Sequence, residues 1–524
     1  MKDLTPSIYT FEKLILGNYL YIDKTEYLWQ LVRPANGIYF LSRPRRFGKS
    51  LTLSTLKAIF QGKRELFKGT AIDSKPYDWK QYPVIHFSLN GYDFSTSERL
   101  EESLCLIISA QAEAHGIVLE RSNPSAMFQK LITGLCKEAP VVLLVDEYDK
   151  PLLDNLSSPD ADRILRTLKT FFSVIKDRSN DFRFVFVTGV TKFCHVSLFS
   201  DLNNLQDISR TPQYATLLGY TQEELESHFD EHLALAQQKQ DLSREELLRR
   251  LKLWYDGYRF APGAETIYNP VSIANFFLND GQFENYWFST GTASSLFSLM
   301  RKDGANLPDI MEKPVTGDLF DSFEMSMVDI QKLMYQTGYL TIGETETVDA
   351  GTENEERLYH LRFPNSEVRR SFNNQVMEHY AGLRPLESGD LTRRLVAEIR
   401  NGDVDAFMNR LKTLFAKIPY NLHGRQERDY QTILFVVFLM LRVSVAGEYH
   451  TNEGRIDLVL SAEKWTYVIE LKLNRSALEA ITQIEHKDYA RGFLGQGRRV
   501  MAVGVNFDDG RAQIDNWLSE EVTE

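Results

Sequence analysis

A short apolar run that ends in a lysine-bearing loop and passes at once into a helical period constrains this chain more than any other feature. Ile38-Tyr39-Phe40-Leu41-Ser42 has strand character, Arg43-Pro44-Arg45-Arg46-Phe47-Gly48-Lys49-Ser50 follows directly, and Leu51 to Phe60 repeats apolar residues at helical spacing. Strand, tight turn and helix is the setting in which main-chain N–H groups meet a phosphate at a helix N-terminus. In such a loop Gly48 lets the backbone approach the anion, Lys49 reaches the β- and γ-phosphates, and the Ser50 hydroxyl ligates Mg2+. The usual pattern G-x-x-x-x-G-K-[ST] would put its first glycine at position 43, where this chain has arginine. A left-handed arginine costs about 1–2 kcal/mol, so the loop is expected to take another shape.

A second segment answers the first. Val141-Val142-Leu143-Leu144-Val145 is continuously apolar, as in a strand buried on both faces of a parallel sheet, and it ends in Asp146-Glu147. That is the carboxyl edge at which such sheets bind ligands. Asp146 is placed to hold Mg2+ through water, and Glu147 to orient or deprotonate an attacking water. Phe182 to Val187 leads into Thr188-Gly189, where Thr188 is a candidate sensor of the γ-phosphate, and Val84 to Leu89 supplies one more strand. The alternation predicts a doubly wound α/β sheet with helices on both faces. A basic turn or an acidic strand end is common by itself; the two in this order, with helices between, are not.

Asp23-Lys24-Thr25, the Arg43–Ser50 loop, Val145-Asp146-Glu147-Tyr148-Asp149, Leu202-Asn203-Asn204-Leu205 with Asp207-Ile208, Trp254-Tyr255-Asp256-Gly257-Tyr258 and Tyr268-Asn269-Pro270 together resemble the bacterial AAA-ATPase-like family. The resemblance covers residues 5 to 345. That family carries RPRRFGKS in place of the usual loop, so Arg43 fits it. The resemblance implies a P-loop NTPase fold with ATP and Mg2+ as cofactors. Arg46, Gly48, Lys49, Ser50, Asp146 and Thr188 are then the nucleotide-binding positions, with Ser50 and Asp146 on the metal and Glu147 catalytic. Arg210 and Arg259 are candidates for an arginine finger, although a surface or interdomain salt bridge is the expected role of both.

Thr221-Gln222-Glu223-Glu224 caps a helix expected to run to about Gln237. His228 and His232 stand one turn apart on it, a spacing that suits zinc, but no third ligand accompanies them. Leu333 to Ile342 reads as a helix end followed by a strand, as in a winged-helix module, Gly343 to Arg357 as a mobile loop or hairpin tip, and residues 387–419 as two helices. The expected organisation is an ATPase core over 1–220, a helical, winged-helix-like lid over 221–345, a helical bridge over 346–420 and a last domain over 421–524.

That last domain begins with a helix from Glu427 to about Ala446. Strands follow near Glu448–Thr451, over Arg455–Leu460 and over Thr466–Leu473, then a helix from Ser476 to about Gly492 and a strand over Arg499–Phe507. A hairpin centred on Glu463-Lys464 sets Asp457 across from Glu470, and facing Cβ atoms in a ladder lie about 5 Å apart, close enough for two carboxylates to share a divalent cation. Lys472 projects from the same face and is placed to position water or stabilise charge on a phosphorane-like transition state. The pattern D…E-x-K in an αβββαβ order resembles the PD-(D/E)XK nuclease superfamily, a restriction-endonuclease-like fold, over residues 420 to 515. The resemblance implies catalysis by Asp457, Glu470 and Lys472, a metal on Glu427, Asp457 and Glu470, and accessory roles for Gln483 and Tyr489.

Charge limits what such a domain can hold. The chain carries 60 Lys and Arg against 72 Asp and Glu, a net −12, and residues 421–524 carry 12 against 16. A long nucleic-acid footprint needs a basic face, so contacts with nucleic acid, DNA before RNA, are expected to be local or metal-bridged. No apolar run approaches the roughly 20 residues of a membrane span, and Met1-Lys2-Asp3-Leu4-Thr5-Pro6 has no signal-peptide core. Three scattered cysteines, Cys105, Cys136 and Cys194, suit a reducing cytoplasm. The leading expectation is an ATPase that controls a Mg2+-dependent nuclease. A non-cleaving ATP-driven switch and an ATP-driven assembly module are the alternatives, and homo-oligomerisation stays open.

Overall fold

The computed structural model describes the chain except for residues 157, 193–203, 288–295, 298, 301–306, 321–328, 383, 418–426, 442–443, 452–453, 509, 511–512 and 524; for some helix and strand residues, Glu427 among them, it describes only the backbone. Cys194 and the Leu202-Asn203 part of one motif therefore lie outside the described residues. The chain divides into two compact units, residues 1–295 with 315–368, and residues 296–314 with 369–524. Among the described residues no helix is long and apolar enough to cross a membrane.

The first unit is built on β1 (Gly37–Ser42), β2 (Val84–Ser88), β3 (Val141–Asp146), β4 (Phe182–Gly189) and β5 (Gln206–Asp207), in the order β2-β3-β4-β1-β5 with every pair parallel. Every residue of β3 is buried, so both faces of the sheet are covered, as its unbroken apolar run requires. The covering helices are amphipathic: in Ala161–Asp177, Ile164, Leu168, Phe171 and Ile175 recur at helical spacing and are buried. Phe171 packs against Phe87 of β2 and Phe128 of the helix Pro124–Leu135, with ring centres 5.8 and 5.3 Å away.

The remainder of this unit is mostly helical. Thr221 and Glu224 form the reciprocal capping box, but the expected single helix is two, Gln222–His228 and Asp230–Gln240. The break falls at Phe229, which turns inward to stack on Phe277 at 5.5 Å and joins a core with Leu225, Leu247, Tyr255 and Phe276. The helix Ile330–Thr337 stops at Gly338, whose φ of 89° ends the helical path, and β6 (Thr341–Val348) pairs with β7 (Glu356–Arg362) as an antiparallel hairpin.

The second unit holds β8 (Ser444–Thr451), β9 (Gly454–Ser461), β10 (Trp465–Leu473), β11 (Arg499–Asp508) and β12 (Gln513–Val522), in the order β12-β11-β10-β9-β8. β10 and β11 run parallel, joined through the helix Ala477–His486, and the other pairs are antiparallel. β12 is an addition to the expected order. Its Ile514, Trp517 and Leu518 fall at helix-like spacing, which hides an edge strand from sequence. The first helix of this region stops at Met440, short of the expected Ala446, because Ser444 already begins β8. Val459, Val468, Ile481 and Ile484 close one face of the sheet. On the other face Leu460, Tyr467 and Ile469 meet Ile399, Val404 and Phe407 of the helices Pro385–Asn401 and Val404–Lys417, and the Tyr467 hydroxyl donates to the Ile399 carbonyl at 2.7 Å.

Candidate functional site

In the first unit the Arg43–Ser50 loop leaves the end of β1 and opens the helix Lys49–Phe60. The left-handed residues are Arg46 (φ 70°) and Gly48 (φ 99°), not Arg43, so arginine at position 43 carries no such strain and is instead buried beneath the loop. A Cβ on Gly48 would touch nothing; its backbone angle alone demands glycine. Arg46 is held by donation from Nη1 to the Tyr286 carbonyl at 2.8 Å, and Phe47 by edge-on contacts with Tyr258 and Phe260. Lys49 is 5% exposed, and its Nζ donates to the carbonyls of Arg43 (2.8 Å) and Pro44 (3.0 Å). Burial pushes its pKa down, while Glu147 and Asp146 oppose the shift.

The end of β3 faces this loop. The Ser50 hydroxyl donates to Asp146 Oδ2 at 2.5 Å, and the Thr188 hydroxyl at the end of β4 donates to Asp146 Oδ1 at 2.8 Å. Glu147 takes a left-handed φ of 55°, a strained conformation of the kind found at ligand sites, and burial raises its pKa. Asp149, wholly buried, accepts from the Val190 and Thr191 amides and from the Thr191 hydroxyl, which fixes the chain leaving β4. Gly189 must be glycine here, since a Cβ would lie 2.5 Å from the Tyr148 ring and 2.8 Å from Asp149 Oδ1. Beside Gly48 and Thr52 opens a largely apolar cleft, lined also by Tyr21, Lys24, Leu218 and Val271. These residues fit Mg2+ and a nucleotide: a hydroxyl and a carboxylate in contact, a buried ammonium held by neutral carbonyls, and an adjoining apolar cleft.

Several motif residues prove to be braces. Asp23 accepts from the amides of Thr25 (2.8 Å) and Ala71 (2.6 Å), and Lys24 pairs with Glu224 at 2.6 Å across 200 residues of sequence. Asn269 caps the helix Pro270–Leu278. A Cβ on Gly257 would fall 1.9 Å from the Pro364 carbonyl oxygen. Neither Arg210 nor Arg259 makes the expected ion pair among the described residues: Arg210 stacks on Phe320, and Arg259 donates to the Gly343 carbonyl. His228 and His232 gather no third ligand, for no group of three or more His, Cys, Asp or Glu able to hold a metal occurs among the described residues.

In the second unit the β9–β10 hairpin turns at Ala462–Trp465 and pairs Ser461 with Thr466 through to Leu458 with Ile469. The next step of that register sets Asp457 opposite Glu470. The ladder parts there: the Leu471 amide donates to Asp457 Oδ2 at 2.8 Å, a carboxylate taking the place of a main-chain carbonyl. Asp457 is 8% and Glu470 2% exposed. Lys472 Nζ donates to Glu470 Oε1 at 2.9 Å and to the Leu471 carbonyl at 3.2 Å, and the Gln483 amide of the overlying helix also donates to Glu470 Oε1. Tyr489 packs in the core with Ile481 and Ile484. The Glu427 side chain lies outside the described residues. Two buried carboxylates, steadied by one ammonium and two amides, suit a divalent cation, which prefers oxygen ligands.

Comparison with known proteins finds a family for a stretch of each unit. Residues 6–199 match the family described as predicted AAA-ATPase, and residues 425–517 match the PD-(D/E)XK nuclease superfamily. A protein of Azotobacter chroococcum mcd 1, described as an uncharacterized protein in the vnfD 5' region, is 34% identical over 533 residues, covering 99% of both chains. The chain belongs to the AAA-ATPase-like family, in the form that carries a C-terminal domain of the PD-(D/E)XK nuclease superfamily.

Proposed function

We propose that the first unit binds and hydrolyses ATP with Mg2+, and that the second cleaves nucleic acid, DNA before RNA, with a divalent cation on Asp457 and Glu470. One observation carries the reading for both units: two acids and a lysine are kept together, largely buried, on the strands of the sheet or just beyond them. Apolar side chains of similar size would be as stable there or more so, which points to a ligand for the charges.

In the first site Lys49, Ser50 and Asp146 form the phosphate and metal side of the pocket, the Walker A and Walker B positions. Lys49 Nζ swings from the Arg43 and Pro44 carbonyls to the terminal phosphates and neutralises the charge that spreads over them. Glu147 accepts the proton of the attacking water as its oxygen bonds to the γ-phosphorus, and the bond from that phosphorus to the ADP oxygen breaks. Thr188, bonded to Asp146, is positioned to register loss of the γ-phosphate. Mg2+ on Ser50 and Asp146 supplies further charge neutralisation at the phosphate oxygens.

In the second site Lys472 orients the water whose oxygen bonds to the phosphodiester phosphorus while its proton passes to solvent. The phosphorus–oxygen bond to the leaving sugar breaks, and solvent protonates the released oxygen. A divalent cation on Asp457 and Glu470 supplies Lewis acidity and lowers the pKa of water. The excess of acids over bases in residues 421–524 favours a second reading, a domain that binds without cutting.

The test measures phosphate release from ATP, and cleavage of single- and double-stranded DNA and RNA, in Mg2+ or Mn2+ beside chelator controls. Both activities are expected to need the cation. ATP turnover without cleavage of any substrate would assign the second unit to binding alone. Absence of ATP turnover would remove the first half of the proposal.

A further inference from the structure

The carboxyl ends of β1, β4 and β5 enclose another cleft, on the far side of the loop from the Ser50–Asp146 contact. It opens to solvent and is lined by Ser42, Arg43, Lys192, Arg210, Phe320 and Gln336, with five further residues. Three cations reach it. Lys192 pairs with Asp207 at 2.6 Å. Arg43 and Arg210 have no carboxylate within ion-pair distance among the described residues.

Their remaining contacts are neutral. Arg43, 2% exposed, donates to the carbonyls of Ser42 (2.9 Å), Ser209 (2.6 Å) and Tyr214 (3.2 Å), with its guanidinium 4.1 Å from the Phe260 ring centre. Arg210 lies 3.7 Å over the Phe320 ring and donates to the Tyr359 hydroxyl at 3.4 Å. Among the described residues the buried Nε of each guanidinium has no acceptor, and neither does the Nε2 of Gln336, whose Oε1 is occupied by the Lys192 amide at 2.8 Å. Burial lowers the Arg43 pKa only to about 10, so its charge remains at neutral pH.

Among the described residues the cleft thus offers three cations against one carboxylate, and three buried donors with no acceptor. Water would satisfy the donors but leave the charge, and a buried charge without a partner is costly. A small anion rich in acceptors answers both needs, and guanidinium Nε groups match oxyanion geometry. We propose that this cleft binds a phosphate group through Arg43, Arg210 and Gln336, with Lys192 adding charge at its rim. The carbonyls of Arg43 and Pro44 also hold Lys49, so the bound anion anchors the loop from the side opposite the helix.

The test titrates inorganic phosphate into the full chain at constant ionic strength, following melting temperature and heat of binding. Unaltered protein is compared with Lys49→Ala, Arg210→Met and Gln336→Glu. Phosphate is expected to bind and raise the melting temperature of both the unaltered chain and Lys49→Ala. Arg210→Met should weaken binding at least tenfold. Gln336→Glu sets a carboxylate oxygen where Nε2 stands, so the phosphate response should vanish while the melting temperature in chloride rises. Should Arg210→Met fail to fold, Gln336→Glu decides. No response in the unaltered chain overturns the proposal. So does a response that survives Gln336→Glu, or one that Lys49→Ala removes, since the anion would then sit in the Lys49 loop.

Discussion

Lys49 and Lys472 each stand beside two acids, yet they are neutralised differently. Lys472 is bonded to a carboxylate, Glu470 Oε1, at 2.9 Å. Among the described residues Lys49 has only the carbonyls of Arg43 and Pro44 as hydrogen-bond partners, while the acid next to it, Asp146, takes its hydrogen bonds from the hydroxyls of Ser50 and Thr188. The first site thus holds its cation in reserve for an anion that arrives with the ligand. The second is assembled beforehand, with Glu470 already steadied by Lys472 and Gln483 and Asp457 by the Leu471 amide. Partners lost from a preassembled buried pair leave a stranded charge, whereas a lysine held by neutral groups can be removed at small cost.

The largest expected effect follows from that difference. Lys49→Met should lower ATP turnover by about 100-fold or more, the scale of losing one charge-stabilising group. It should leave the melting temperature unchanged or raised, because no carboxylate loses a hydrogen-bonded partner. A large loss of stability in this variant would break the comparison. Glu470→Ala should behave oppositely in denaturant unfolding, costing about 3 kcal/mol, the lower end for a broken buried pair because Lys472 keeps some exposure. The double variant Glu470→Leu with Lys472→Met should recover most of that loss.

Glu367 sharpens the comparison from the other side, as a buried acid without a lysine. It accepts from the Ser272 hydroxyl and from the Tyr286 and Trp287 amides, and burial raises its pKa to about 7 despite those bonds and nearby Arg46. The folded chain holds this proton more tightly than the unfolded one. Its contribution to stability is therefore full below pH 4.5 and is lost as pH rises through about 7, a fall of about 3 kcal/mol. Glu367→Gln should remove that fall, so the difference in unfolding free energy between variant and parent should grow from pH 4.5 to 7; a difference independent of pH would contradict it. The smallest effect is expected at Thr221→Ala, which removes half of a capping box and should cost about 1 kcal/mol in the same measurement.

Much of both sites was legible in sequence because their residues sit on elements with strong local signals. The unbroken apolar run of Val141 to Val145 announces a buried parallel strand that must end near Asp146. Alternation along β9 and β10 sets the hairpin register, and with it the approach of Asp457 to Glu470. What stayed hidden depends on distant pairing. Lys24 finds Glu224 200 residues away, and Glu367 finds Ser272 95 residues away. Local periodicity carries no trace of either. Arg43 could be recognised as unusual for its loop, but its burial beneath that loop comes from the carbonyls of Ser209 and Tyr214. β12 was missed because an edge strand with one buried residue, Ile514, leaves its other apolar residues free to mimic a helical spacing.

The most direct test of two separately built sites is cleavage of labelled DNA in Mn2+ by the unaltered chain, Glu470→Gln and Lys472→Met, each first shown to hydrolyse ATP at the parent rate. Cleavage by the parent alone, with ATP turnover kept in both variants, is the predicted result. Equal cleavage by all three would contradict the assignment of Glu470 and Lys472, and would place any strand-cutting activity elsewhere in the chain.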